Sequence, residues 1–175
     1  MHQFSELVFR STSFMLGVLK EVESKVIEQL QTSGLTVLVK NLQMIQLHKA
    51  ITAIGMFSLF ESILQDGLAC RNGFDEAKKI LNQSGNNDLN NRFEDFICAI
   101  NVLKHGKGRS YDTLVAKSSI LSFKIKMPGE DYFDEGDVSE ISTLIEVNDE
   151  FVLACVRLIE EVSEKIRTER PDFFF

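Results

Sequence analysis

Between Ile100 and Leu114 the chain reads INVLKHGKGRSYDTL, with Asn101 and His105 four residues apart and therefore on one face of a helix near its end. An imidazole can give or take a proton near neutral pH. The partial negative charge at a helix C-terminus favours its protonated form. Lys104, Lys107 and Arg109 add the positive charge that a phosphate seeks. His105 as acid or base, with Lys or Arg stabilising a pentavalent phosphate, is a sufficient kit for metal-independent RNA cleavage through the 2′-OH. The same residues also make a plain helix terminus, in which cationic side chains cap the last carbonyls and a Gly-rich turn follows. On chemistry alone both readings stay open.

Glu61 is the other residue of interest. Leu47, Ile54 and Phe57 precede it at helical steps, which puts its carboxylate beside an apolar stripe. It either reaches solvent as a boundary residue or faces Lys104 or His105 as a functional acid. His48, after LQMIQL, reads as a surface or partly buried helix histidine.

The remaining inventory calls for no metal and no cofactor. The three histidines, His2, His48 and His105, stand far apart, without HExxH. There is no GxxxxGK[ST] and no GxSxG; the GxG in HGKGRS follows a helix, where it offers at best a small anion nest. Cys70, Cys98 and Cys155 form no CxxC pair and are expected to be small buried apolar residues in a reducing compartment.

These residues need elements to hold them, and the apolar spacing predicts helices. Met15, Val18, Val22, Val26 and Leu30 mark a first amphipathic helix, with Gly34 as its stop. From Leu35 to about Leu68 the chain is apolar on more than one face, which predicts a central helix covered on several sides. A short helix from about Phe74 lies between two polar turns. Phe93, Phe96, Ile97, Ile100 and Leu103 give the helix that carries Asn101 and His105, closed by Gly106. SILSFKIKM and ISTLIEV alternate, so the stretch 120–147 is expected to form a small β-hairpin or an irregular excursion. Asn148-Asp149 then caps a last helix with Phe151, Cys155, Leu158, Val162 and Ile166 on its buried side, stopped by Pro171.

The expected fold is all-α, an up-and-down bundle of about four long helices plus one short one, in a single domain over 1–170. Residues 171–175 form an apolar tail whose Phe173, Phe174 and Phe175 are expected to dock on the bundle or on a second subunit. A length of 175 residues and 44% hydrophobic content support one core. Twenty-six acidic against nineteen basic residues, net −7, argue against a general nucleic-acid coat protein. Glu6 and Arg10 interrupt the N-terminal apolar pattern, so no signal peptide is expected there. No apolar run reaches the ~18 residues of a membrane span, and the expected location is the cytoplasm.

AIGMFSLFESIL, AINVLKHGKGRSYDTLV and the closing amphipathic helix together resemble the HEPN superfamily, most specifically across Cys98–Leu114. The resemblance implies a helical bundle that dimerises and places two copies of an Arg-Asn-xxx-His motif at a shared cleft. It also implies an RNase-type role in toxin–antitoxin, phage-defence or CRISPR-linked systems. Asn101 and His105 match that motif, whereas Ile100 stands where it has arginine. Lys104, Lys107 or Arg109 must replace that cation, or the chain keeps the fold without cleavage. Arg92 is a poor substitute, about 20 Å away along the helix at ~1.5 Å per residue. Three functions follow: an RNA- or nucleotide-binding defence component with His105 as acid or base if active; a homodimeric module that recognises a cognate protein; and a ligand-binding bundle.

Overall fold

The computed structural model of the chain describes residues 3–172. Among them it forms six helices: α1 (Phe4–Leu30), α2 (Thr36–Gly67), α3 (Gly73–Gln83), α4 (Asn87–His105), α5 (Arg109–Ala116) and α6 (Asp149–Glu169). The all-α expectation holds, with four long helices and two short ones; α5 is the helix that sequence periodicity missed. The Phe173–Phe175 tail lies outside the described residues.

Helix α2 is the hub, touching α1, α3, α4 and α6. Its inner face carries Ala53, Met56, Phe57, Phe60 and Leu64. Phe57 and Phe60 meet Phe74 and Phe93 with ring centroids 6.1–6.5 Å apart, and the Phe74 and Phe93 rings, 5.5 Å apart, stand at 90°. A second aromatic trio, Phe96, Phe123 and Phe151, joins α4 to α6 and to the chain between α5 and α6 at 5.2–5.4 Å. A smaller cluster of Val26, Leu38, Leu42 and Ile45 closes the α1–α2 end.

Several expectations shift. The expected stripe of α1 holds at Met15, Val22, Val26 and Leu30, which pack against the core clusters, and fails at Val18, which is exposed while Val8, Thr12 and Leu16 face inward. Gly34 does not stop α1. The helix closes earlier, through Gln31 N–H to Glu28 O (3.3 Å) and Thr32 N–H to Gln29 O (3.2 Å). Helix α2 is covered on its inner side only, since Val37, Met44, Leu47 and Ile51 point away from the core at 46–55% exposure. By length and composition it is apolar enough to cross a membrane, a test that core helices of soluble proteins also pass. Gln43, Gln46, His48 and Lys49 divide the segment, so it contains no uninterrupted apolar run of that length. Cys155 is fully buried, and burial pushes its thiol pKa far up, but Cys70 and Cys98 are only half-buried.

Two ends fall as expected. The Asn148 side chain accepts from Phe151 N–H at 2.9 Å and caps α6, whose Phe151, Cys155, Leu158, Val162 and Ile166 are all buried. Helix α6 ends at Glu169, just before Pro171.

The stretch between α5 and α6 is an irregular excursion. Among the described residues no strand forms; one antiparallel bridge joins Ile125 and Ile145, with Lys126 N–H to Leu144 O at 2.9 Å and Glu146 N–H to Lys124 O at 3.1 Å. Polar anchors hold the excursion where a ladder would otherwise be needed. Glu140 accepts the Phe133 and Asp134 N–H groups at 2.7 Å each and faces the buried Lys126 ammonium at 3.1 Å, which in turn lies 4.6 Å from the Phe133 ring centroid. Gln43 of α2 donates to Val138 O and Glu140 O.

Burial alone would raise the Glu140 pKa, but the Asp134 N–H, the Lys126 ammonium and the Phe133 N–H outweigh it and hold the carboxyl below its usual value. A depressed folded-state pKa contributes stability above the unfolded value of about 4.3, and that contribution is lost as pH falls through the folded value. Glu140→Gln therefore lowers the melting temperature at neutral pH. It also flattens the decline that wild type shows as pH falls below about 5, as thermal melts over an acid series will register.

Candidate functional site

A groove of about 320 Å³ runs between α2, α3 and α4. Its inner wall is Phe57, Phe74 and Ile97, and its polar groups are Glu61 from α2, Asn72, Asp75 and Lys78 from the start of α3, and Glu94, Asn101 and Lys104 from α4. Glycine makes this junction possible. A Cβ at Gly73 would lie 2.6 Å from the Glu61 backbone oxygen and 2.7 Å from Leu64 Cβ, so only glycine lets α3 begin directly against α2 beside Glu61. The Asn72 side chain caps α3 by accepting from Asp75 N–H at 3.0 Å, while its Nδ2 donates to Asp75 Oδ2 at 2.7 Å.

At the other side of the groove, α4 ends at His105 because Gly106 takes φ 73°, a left-handed value that suits glycine, while its N–H still reaches Val102 O at 2.8 Å. Helix α5 is then pinned back onto α4. Tyr111 and Leu114 are buried, the Tyr111 hydroxyl donates to Lys126 O at 2.8 Å, and Lys117 meets Asp95 at 2.8 Å. The Asp95 hydrogen bond raises the Lys117 pKa. Burial pushes the Cys98 thiol up as well, against a smaller opposite pull from its hydrogen bond with Ser110. Cys98 is thus a neutral thiol and a weak nucleophile.

The groove has two kinds of charged residue. Lys78 neutralises its neighbours, with its ammonium 3.0 Å from Asp75 and 3.8 Å from Glu94. Glu61, Asn101 and Lys104 line the same groove, and none of them makes a side-chain hydrogen bond or ion pair. Glu61 and Asn101 are half-buried, while Lys104 is exposed at the mouth. Beyond the mouth, His105, Lys107 and Arg109 are exposed and equally unpaired, forming a cationic rim around the α4–α5 turn.

The structure therefore brings Glu61, Asn101 and Lys104 together in the groove. His105 and Arg109 sit on the rim rather than in the lining. His48 is exposed on α2, away from both. Ile100 is only 4% exposed and belongs to the core, so the motif's arginine position presents no cation. Arg92 is held by Glu161 of α6. The groove residues Asn72, Asp75, Lys78 and Glu94 escaped the sequence reading; the Asn-Gly-Phe-Asp run at the start of α3 was their one local signal.

A larger groove of about 920 Å³ lies between the excursion and α6. Its Lys124 is shared by Asp134 and Glu146, at 3.6 Å each. The smaller groove is the better candidate because it gathers Glu61, Asn101 and Lys104, all without a side-chain partner, next to the cationic rim. No group of three or more His, Cys, Asp and Glu gathers at metal-binding range among the described residues. No protein-family model, curated protein or solved structure matches the chain.

Proposed function

We propose that this chain is a HEPN-like helical protein of the defence or toxin–antitoxin type that binds RNA along the Asn101–Arg109 edge. One observation carries the reading: Lys104, His105, Lys107 and Arg109 stand exposed and unpaired in one short run, on a chain whose net charge is −7. None of the four makes an ion pair, and a run of exposed, unpaired cations suits a polyanion. The reading favours binding over cleavage, because Ile100 is packed in the core where the family motif has arginine. If the chain does cleave, His105 is the acid or base and Lys104 the cation nearest the groove.

The long helices are read as an up-and-down bundle working as a cytoplasmic homodimer. The exposed Val37, Met44, Leu47 and Ile51 face of α2 favours pairing of chains. That face also supports the second reading, a non-catalytic homodimeric module for a cognate protein partner. Its signature is a dimer by light scattering that binds no RNA.

The test is fluorescence anisotropy with a single-stranded RNA over a salt series, run in EDTA so that cleavage is scored in the same samples. Lys104→Ala and Arg109→Ala are each expected to weaken binding about tenfold and to reduce the slope of log K against log salt by about 0.7. Affinity and slope that ignore both substitutions would sink the reading.

A further inference from the structure

We infer that the groove is a base pocket selective for guanine, with Glu61 reading the base while the Lys104–Arg109 rim holds its phosphates. The inference rests on the RNA-binding reading above and deepens it. Three observations carry it. The groove is at the lower end of the size range of small-ligand pockets, ~300–1,000 Å³. It sets the half-buried ring of Phe74, backed by the buried Phe57, beside Glu61 and Asn101, which have no partner. Its charge is graded: the half-buried Glu61 is the unpaired carboxylate of the lining, with Lys78 offsetting Asp75 and Glu94, and Lys104, Lys107 and Arg109 stand unpaired at or beyond the mouth.

The gradient orients a nucleotide. A phosphate placed inside would meet the uncompensated Glu61 carboxylate, so the phosphate belongs on the rim and the base in the groove. Of the four bases, guanine alone presents two adjacent donors, N1–H and N2–H₂, on its Watson–Crick edge, a match for both oxygens of one carboxylate. Adenine and cytosine would turn a ring-nitrogen lone pair towards Glu61, and uracil offers a single donor between two carbonyls. Asp75 and Glu94 are already engaged by Lys78, which leaves Glu61 as the carboxylate free to read the base. The Asn101 carboxamide is available to guanine O6, and the Phe74 ring gives the base an apolar surface to lie against. Unstacked bases of single-stranded RNA are recognised in this manner, on an aromatic surface and through their Watson–Crick edge.

The experiment uses the full chain and fluorescein-labelled hexaribonucleotides that differ at one central base, guanine, adenine, cytosine or uracil, among uridines. The guanine strand is expected to bind about tenfold tighter than the others. Inosine at that position, which lacks the N2 amino group, is expected to fall between guanine and the rest. Glu61→Gln, whose carboxamide opposes a donor to one guanine donor, is expected to bring the guanine strand down to the level of the other three.

Competition by GMP separates a pocket that takes the free nucleotide from one that takes guanine only within a strand; both outcomes support a guanine pocket. Equal binding of the four strands by wild type overturns the inference while the RNA-binding reading stands. Inosine bound as tightly as guanine also overturns it, and this result does not depend on how any variant folds. No binding of any strand removes both, and capture of an arginine-rich peptide in their place would reassign Glu61 to a cationic side chain.

Discussion

Phe93→Ala is expected to lower the free energy of unfolding by about 3–5 kcal/mol, and the melting temperature by roughly 10 °C for a chain of this length. The Phe93 ring is fully buried and is shared by three others: Phe74 at 5.5 Å, Phe60 at 6.2 Å and Phe57 at 6.5 Å. Those rings come from α2, α3 and α4, the three helices that form the groove. Truncation leaves a cavity at their junction that two helices and a short third cannot close without moving. The loss therefore combines the transfer of a buried ring with the cost of the void. Urea titration with a common slope for wild type and variant gives the magnitude. A change below about 1 kcal/mol would mean that the four-ring cluster does not hold these helices together.

Gly73→Ala is the second large effect, and it reaches function as well as stability. The added methyl would meet the Glu61 carbonyl oxygen and the Leu64 side chain inside van der Waals distance, and the Gln65 backbone nitrogen at 3.0 Å. Backbone atoms of α2 cannot swing aside as a lysine tip could. The start of α3 must move outward, at a cost of about 1–3 kcal/mol. Asn72, Phe74, Asp75 and Lys78 move with it, so the groove changes shape even where the protein stays folded. The expected result is a lower melting temperature together with weaker RNA binding in a variant that keeps every charged residue. Gly106→Ala is a useful companion because it strains a left-handed turn on the rim without closing the groove. Full RNA affinity in a destabilised Gly73→Ala chain would argue that the groove takes no part in binding.

What the sequence made legible follows physical range. Helices with a one-sided apolar stripe, such as α6 with Phe151, Cys155, Leu158, Val162 and Ile166, are local patterns, and they appear where the spacing puts them. Caps are local too, so Asn148 and Gly106 mark real helix ends. Helix α5 was missed because RSYDTLVA is short and offers only Tyr111 and Leu114 to the core; it depends on α4, through the Lys117–Asp95 pair, more than on its own periodicity.

One position of the expected α1 stripe, Val18, falls outside the core for a related reason, while Met15, Val22, Val26 and Leu30 pack inward. Its apolar residues occupy more than one face, and the choice between Val18 and Leu16 as the inward one is made by α2 and α6. Hairpin-like alternation at 120–147 likewise gave way to a single bridge, because Glu140, Lys126 and Gln43 anchor the segment through side chains. The site divides in the same way. Asn101 and Lys104 are neighbours in sequence, whereas Glu61 reaches their groove only through the packing of α2 against α4, and Lys78 only because Gly73 lets α3 approach.

The measurement that bears most directly on the central claim is a ¹H–¹⁵N correlation spectrum of the labelled chain titrated with the guanine-containing hexaribonucleotide. The account predicts that shift changes concentrate in 101–109, with further changes at Glu61 and 72–78, while the exposed α2 residues Val37, Met44 and Ile51 stay still. Changes confined to that α2 face or to the groove between the excursion and α6, or no change at saturating RNA, would contradict it.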